Sequence, residues 1–127
     1  MTILSEQSCS VCNSGTPKIE GAEASQLLVE IPLWKISSEE NLDKLSRCFS
    51  FDNFQAAISF TNQIGELAEQ ENHHPALLTE WGKVTVSWWT HTIGGLHKND
   101  FIMASRSDLL YLCFEARSSH SPLTGNS

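Results

Sequence analysis

Pro75 is the residue that most restricts how this chain folds. Upstream, Phe54, Ala57, Ile58, Ile64, Leu67 and Ala68 recur at helical spacing, and Asp52 to Asn72 reads as one amphipathic helix. Asp52 with Gln55 three residues on resembles a capping box at its start. Proline cannot continue a helix, and it pushes the residue before it towards extended backbone. Beyond it the apolar period becomes two: Val84, Val86, Trp88 and Thr90 fall on one face of a strand, and Thr85, Ser87, Trp89 and His91 on the other. A helix must therefore hand over to a sheet within the stretch Glu69-Gln70-Glu71-Asn72-His73-His74-Pro75.

Gly82-Lys83 divides the downstream segment into a hairpin, Ala76 to Trp81 and Val84 to Thr92. A second hairpin precedes the helix. Trp34-Lys35-Ile36 leads through a polar turn to Leu45, Arg47, Phe49 and Phe51, which alternate with Lys44, Ser46, Cys48 and Ser50. Ala24, Leu27, Leu28 and Ile31 mark a short helix that Pro32 ends, and His97 to about Arg117 forms the last helix, with Asp100 in its first turn. The order β-β-α-β-β-α, with the short extra N-terminal helix, predicts an α+β fold: a two-layer arrangement of a four-stranded antiparallel sheet with helices on one face. The strand from Val84 carries a tryptophan on each face. With one face under the helices, the other is expected to meet a ligand or a second subunit.

The chain has 127 residues, enough for one domain. Residues 1–20 are polar and read as a flexible arm, 21–117 as the folded domain, and 118–127 as a flexible tail. A net charge of −7 with scattered basic residues argues against nucleic acid. Neither a signal peptide nor a membrane-spanning run is visible, which points to the cytoplasm. There, Cys9, Cys12, Cys48 and Cys113 are expected as free thiols. Cys9-Ser-Val-Cys12 is half a zinc site by spacing and lacks a second pair.

Glu69 and His73 are four residues apart, so on a helix they share a face and can touch. His91 reaches the same place if its strand pairs beside the one that begins at Pro75. Imidazoles held on element ends beside a carboxylate suit paired proton transfer. Taken singly, each histidine is an ordinary surface or core residue, Asp100 a helix-start residue and Trp81 hairpin packing. Zinc hydrolysis competes, but adjacent histidines point different ways and helical zinc pairs are normally four apart.

Glu69, His73-His74-Pro75, Trp81, His91 and Asp100, at these spacings, resemble the pattern of the pterin-4a-carbinolamine dehydratases. The surrounding "ENHHPALLTEWGKVTVSWWTHTIGGLHKNDFIMA" looks like their bacterial members, and the likeness spans roughly Ala22 to Leu110. The resemblance implies dehydration of 4a-hydroxytetrahydrobiopterin to the quinonoid dihydropterin, recycling the pterin of phenylalanine hydroxylase, without metal or organic cofactor. Carried over, His73, His74 and His91 line the pterin site and Glu69 orients or charges them. Trp34 packs against the pterin ring, while Asp100, Trp81 and Pro75 are structural near the site. The acid and base roles among the histidines stay open, as do the pterin's side chain, the purpose of the arm, and whether phenylalanine hydroxylase or another pterin pathway is the physiological context. The family also implies a homo-oligomer, dimer or tetramer. Its animal members act as dimerisation cofactors for a homeodomain transcription factor, so a non-catalytic protein-binding or regulatory module is the alternative. Retention of Glu69 and three histidines speaks against it.

Overall fold

The computed structural model describes residues 4–7, 9–10 and 15–120. Seven main elements follow in order: α1 (Gly21–Leu28), β1 (Lys35–Glu39), β2 (Leu42–Ser50), α2 (Phe54–Glu71), β3 (Ala76–Glu80), β4 (Lys83–Trp88) and α3 (Lys98–His120). The four strands form one antiparallel sheet in the order β1-β2-β4-β3. Cross-strand partners Leu45↔Trp88 and Phe49↔Val84 fix the register that turns the apolar set inwards. Leu45, Phe49, Val84, Val86 and Trp88 are completely buried on that face, against Ala57, Phe60 and Ile64 of α2 and Phe101 of α3. Each of the Val, Leu, Ile and Phe side chains among them contributes about 1.5–3 kcal/mol by leaving water. This is the expected α+β architecture.

Several boundaries differ from the sequence reading. The cap of α2 is Asn53, whose side chain accepts from Ala56 N, rather than Asp52. Phe60 belongs to the buried face of α2, whereas Phe54 and Ile58 are exposed, because the helix starts later and its core stripe runs through Ala57, Phe60, Ile64 and Leu67. Strand β4 ends at Trp88 instead of Thr92. The chain then turns tightly, with Thr90 N donating to Gly95 O at 2.8 Å and Gly94 N to Thr90 O at 3.0 Å. Gly94 takes φ +62 there. At the β3–β4 hairpin Gly82 takes φ +76, and a Cβ would stand 3.3 Å from Phe51 O. Helix α3 runs on to His120, so residues 118–120 are helical; Cys12 and residues 121–127 lie outside the described residues.

The arm is docked at its described residues. A short 3-10 turn, Leu4–Glu6, packs on α3, and Leu4 is 1% exposed in the core while its N–H donates to Glu30 Oε1 at 3.1 Å. The physical reason is an apolar side chain buried where a polar stretch gave no periodic signal. Among the described residues Cys9, Cys48 and Cys113 are free thiols, and no helix is long and apolar enough to cross a membrane.

Candidate active site

The C-terminus of α2 aims the first histidine. His73 N donates to Ala68 O at 3.1 Å and Asn72 N contacts Glu69 O at 3.4 Å, with Asn72 in the left-handed conformation (φ 51, ψ 42). This is the Schellman ending, with asparagine where glycine is commonest. The helix stops at Glu71, so His73 lies beyond it and swings off the face that carries Glu69. The expected Glu69–His73 contact is therefore replaced by another: Glu69 Oε2 lies 2.6 Å from His74 Nε2, with both side chains largely solvent-exposed.

His73 pairs instead with Asp100. Its Nε2 lies 2.6 Å from Oδ1 of Asp100, which is 0% exposed. The other oxygen, Oδ2, accepts from Thr90 Oγ1 at 2.8 Å and from His97 N at 2.9 Å. His97 Nδ1 in turn accepts from Asn99 N at 3.0 Å, so His97 and Asp100 cap α3 reciprocally. Asp100 thus starts the last helix, as expected, and also grips His73, which the sequence reading did not assign. A carboxylate only accepts, so with the neutral imidazole this contact places the ring proton on Nε2 and leaves Nδ1 to accept. The ring lies parallel to the buried Trp88 indole at a centroid distance of 5.7 Å, which further restricts its rotation.

His73, His74 and His91 line one open cavity of about 400 Å³, together with Thr90, Cys9 and Ser10. A larger cleft of about 580 Å³ between α2 and α3 contains no histidine. His91 is exposed on the turn after β4, its ring 4.7 Å from that of Trp89, over which Lys44 Nζ sits at 4.2 Å. Glu69, Pro75, Trp81 and Asp100 do not line the cavity.

Trp34 is not at the site. It is 3% exposed, packs edge-on against Phe49 at 5.9 Å, and donates Nε1–H to Asp108 Oδ1 at 2.8 Å. Arg47 Nη1 reaches the same oxygen at 2.6 Å. Burial is the main influence on Asp108 and raises its carboxyl above the usual value, against the lowering effect of Trp34 and Arg47. An indole enclosed this fully has no face for a ligand. Trp81, read as hairpin packing, is 72% exposed at the tip of the β3–β4 hairpin.

Thr90, Asn99, Glu71, Cys9 and Ser10 were not singled out as site residues from sequence. Glu71 Oε1 accepts from Cys9 N at 3.1 Å, and Arg106 Nη1 lies 2.9 Å from Glu71 Oε2 as a charge contact rather than an aligned hydrogen bond. The Cys9 hydrogen bond, chiefly, holds the Glu71 carboxyl below its ordinary range, with Arg106 adding to it. Burial pushes the Cys9 thiol up to about 12, reinforced by the Glu71 and Asp100 carboxylates, so it is neutral at physiological pH. Among the described residues no group of three His, Cys, Asp or Glu side chains is disposed to hold a metal ion.

With a buried carboxylate behind one histidine and two more histidines around a ligand-sized opening, the arrangement suits general acid and base work. The family model for pterin 4 alpha carbinolamine dehydratase matches residues 17–110. The chain belongs to that family. A putative pterin-4-alpha-carbinolamine dehydratase of Marinobacter nauticus is 53% identical over 111 residues, 87% of this chain and 100% of the relative. One from Microcystis aeruginosa is 55% identical over 87% of this chain and 96% of its own length. Among solved structures, a transcriptional coactivator/pterin dehydratase from Brucella melitensis superposes with a TM-score of 0.67 at 24% identity, covering 75% of this chain and 99% of that one. A pterin dehydratase-like protein identified as a RuBisCO assembly factor in the alpha-carboxysome gives 0.53 at 20% identity, covering 61% and 88%. At these identities the two structures share the fold of this family member.

Proposed function

We propose that this protein dehydrates pterin-4a-carbinolamines, with 4a-hydroxytetrahydrobiopterin as the type substrate. The observation that carries the reading is the convergence of His73, His74 and His91 on one cavity, with His73 anchored by a buried Asp100. In the reaction the C4a–O bond breaks and its electron pair leaves with the hydroxyl oxygen, which takes a proton from an imidazolium. The N5–H proton passes to an imidazole, and its electron pair forms the C4a=N5 bond. The products are quinonoid dihydropterin and water, and no electrons are gained or lost overall.

His73 suits the base role because Asp100 fixes its proton on Nε2 and leaves Nδ1 as acceptor. His74 and His91 are more exposed and exchange protons with solvent, which suits delivery to the leaving hydroxyl. Glu69 assists through His74. The quinonoid product would return to the tetrahydro form through a reductase and serve phenylalanine hydroxylase in the cytoplasm. The open edge of β3 and the exposed Trp81 favour assembly into a homo-oligomer.

The test is the decay of freshly generated 4a-hydroxytetrahydropterin with and without the purified protein, in chelator. Acceleration that disappears in His73→Ala and His74→Ala is expected. No acceleration by folded wild-type protein refutes the reading.

A further inference from the structure

We propose that the N-terminal strap, meaning the described residues 4–7 and 9–10, walls the substrate site through Cys9 and Ser10, and that Asn99 is the residue that positions it. This deepens the dehydratase reading and rests on it. Cys9 and Ser10 line the same cavity as the three histidines, although they lie more than sixty residues away in sequence. They are held there by polar contacts rather than by apolar burial alone. Asn99 is 3% exposed, and both ends of its amide are given to one strap residue: Oδ1 accepts from Ser10 N at 2.9 Å, and Nδ2 donates to Ser10 O at 2.8 Å. This is the pairing that a neighbouring strand would make. Asn99 also stands in the capped first turn of α3, one residue before Asp100, so the anchor of the strap and the anchor of His73 share one rigid turn.

Glu71 makes the second fastening. Its Oε1 takes the Cys9 N–H while Arg106 faces Oε2, so the docked strap engages a carboxylate that would otherwise face the histidine cavity unpaired on that side. The strap then contributes a neutral thiol and a hydroxyl-bearing residue to the wall. Leu4, through its own burial and its bond to Glu30, ties the far end of the strap to the core, and Cys9 packs partly against it. The Asn99 and Glu71 contacts fix the cavity end of the strap in addition. A wall of this kind raises retention of a flat bicyclic ligand more than it changes the proton transfers, which the histidines carry out.

The experiment uses the full chain and compares Asn99→Ala and Ser10→Pro with wild type. Ser10→Pro removes the strap's N–H to Asn99 while leaving α3 untouched. Four quantities are read: KM and kcat for carbinolamine decay, Kd for 7,8-dihydrobiopterin by fluorescence, and the iodoacetamide alkylation rate of Cys9, resolved by peptide mass spectrometry. Both variants are expected to raise KM and Kd about fivefold or more while kcat changes less than about twofold, because contacts that exclude solvent are lost without the reacting groups. Cys9 alkylation is expected to rise about tenfold, reporting local release of the strap. Dihydrobiopterin should slow Cys9 alkylation in wild type and lose that effect in both variants. Faster Cys9 alkylation with unchanged KM and Kd, in an active enzyme, overturns the strap's part in the site and leaves the dehydratase reading intact. A fold-wide loss would appear as a lowered urea-unfolding midpoint with kcat lost alongside the rise in KM, and would also count against it. A wild-type protein without dehydratase activity refutes both readings together.

Discussion

Asp100→Asn separates the two duties of Asp100. In the wild type Oδ2 receives two donors, Thr90 Oγ1 and His97 N, and Oδ1 receives His73 Nε2. An asparagine has one acceptor oxygen and one donor amide. Placing the amide against His97 N would set donor against donor, so the oxygen must take the Oδ2 position. The amide then faces His73 Nε2, which has to give up its proton to Nδ1 to accept. The tautomer is inverted with little movement of heavy atoms. Three charge-assisted bonds become neutral, which costs about 1 kcal/mol each, partly offset by relief of a buried charge. The expected loss of stability is roughly 1–3 kcal/mol by urea unfolding. Activity should fall further, by about 10²–10⁴ in kcat, because the acceptor needed for N5–H removal is gone. Carbinolamine decay gives the rate, and imidazole 15N shifts give the tautomer directly. If Asp100→Asn keeps kcat within about threefold while His73→Ala loses more than a hundredfold, the fixed tautomer does not carry the base role of His73.

The exposed Glu69–His74 pair predicts a small effect: Glu69→Gln should change kcat less than about threefold and leave the melting temperature within error, whereas a large loss would mean that the pair closes on substrate. Trp34→Phe should cost about 1–2 kcal/mol by urea unfolding through the lost bond to Asp108, with KM unchanged; a raised KM would return Trp34 to the pterin site. At the left-handed Asn72, glycine should be neutral or stabilising. Alanine should cost about 1 kcal/mol in urea and lower kcat by re-aiming His73, and equal activity of the two variants would detach the turn from catalysis. Glu71 has a folded-state carboxyl below its ordinary 4.5, so its contribution is fully present above that pH and is lost as pH falls through the lowered value. The stability advantage of wild type over Glu71→Gln should therefore be constant from about pH 7 to 5 and shrink as pH falls below the ordinary 4.5 in urea titrations; an advantage that grows as pH falls below 4.5 would contradict the assignment.

What could be read in advance here divides along the range of the interactions involved. The strands and long helices are written in local periodicity, so the α+β sheet and the His-His-Pro junction follow from residues within a few positions of one another. The three histidines meet in one cavity because a hairpin and a helix end are both short-range features. The errors fall where a local rule met a tertiary constraint. Glu69 and His73 obey helical spacing only if the helix continues, and a left-handed Asn72 ends it at Glu71, short of His73. His91 follows the alternation of β4, but the Thr90–Gly95 turn takes it off the strand. Trp34 was placed by resemblance alone, and its indole N–H satisfies a carboxylate 74 residues away. Asp100 carried a legible cap signal that masked its second use, since nothing in the sequence says which side chain will occupy the other oxygen of a buried carboxylate. The strap is the extreme case. Its fastenings join backbone groups of Cys9 and Ser10 to side chains 62 and 89 residues on, and a backbone amide leaves no compositional trace of its partner. A polar stretch without periodicity is therefore compatible with a docked wall as much as with a free arm. What distinguishes them lies at the far end of the contact, in a buried asparagine whose two amide ends need a partner of main-chain shape.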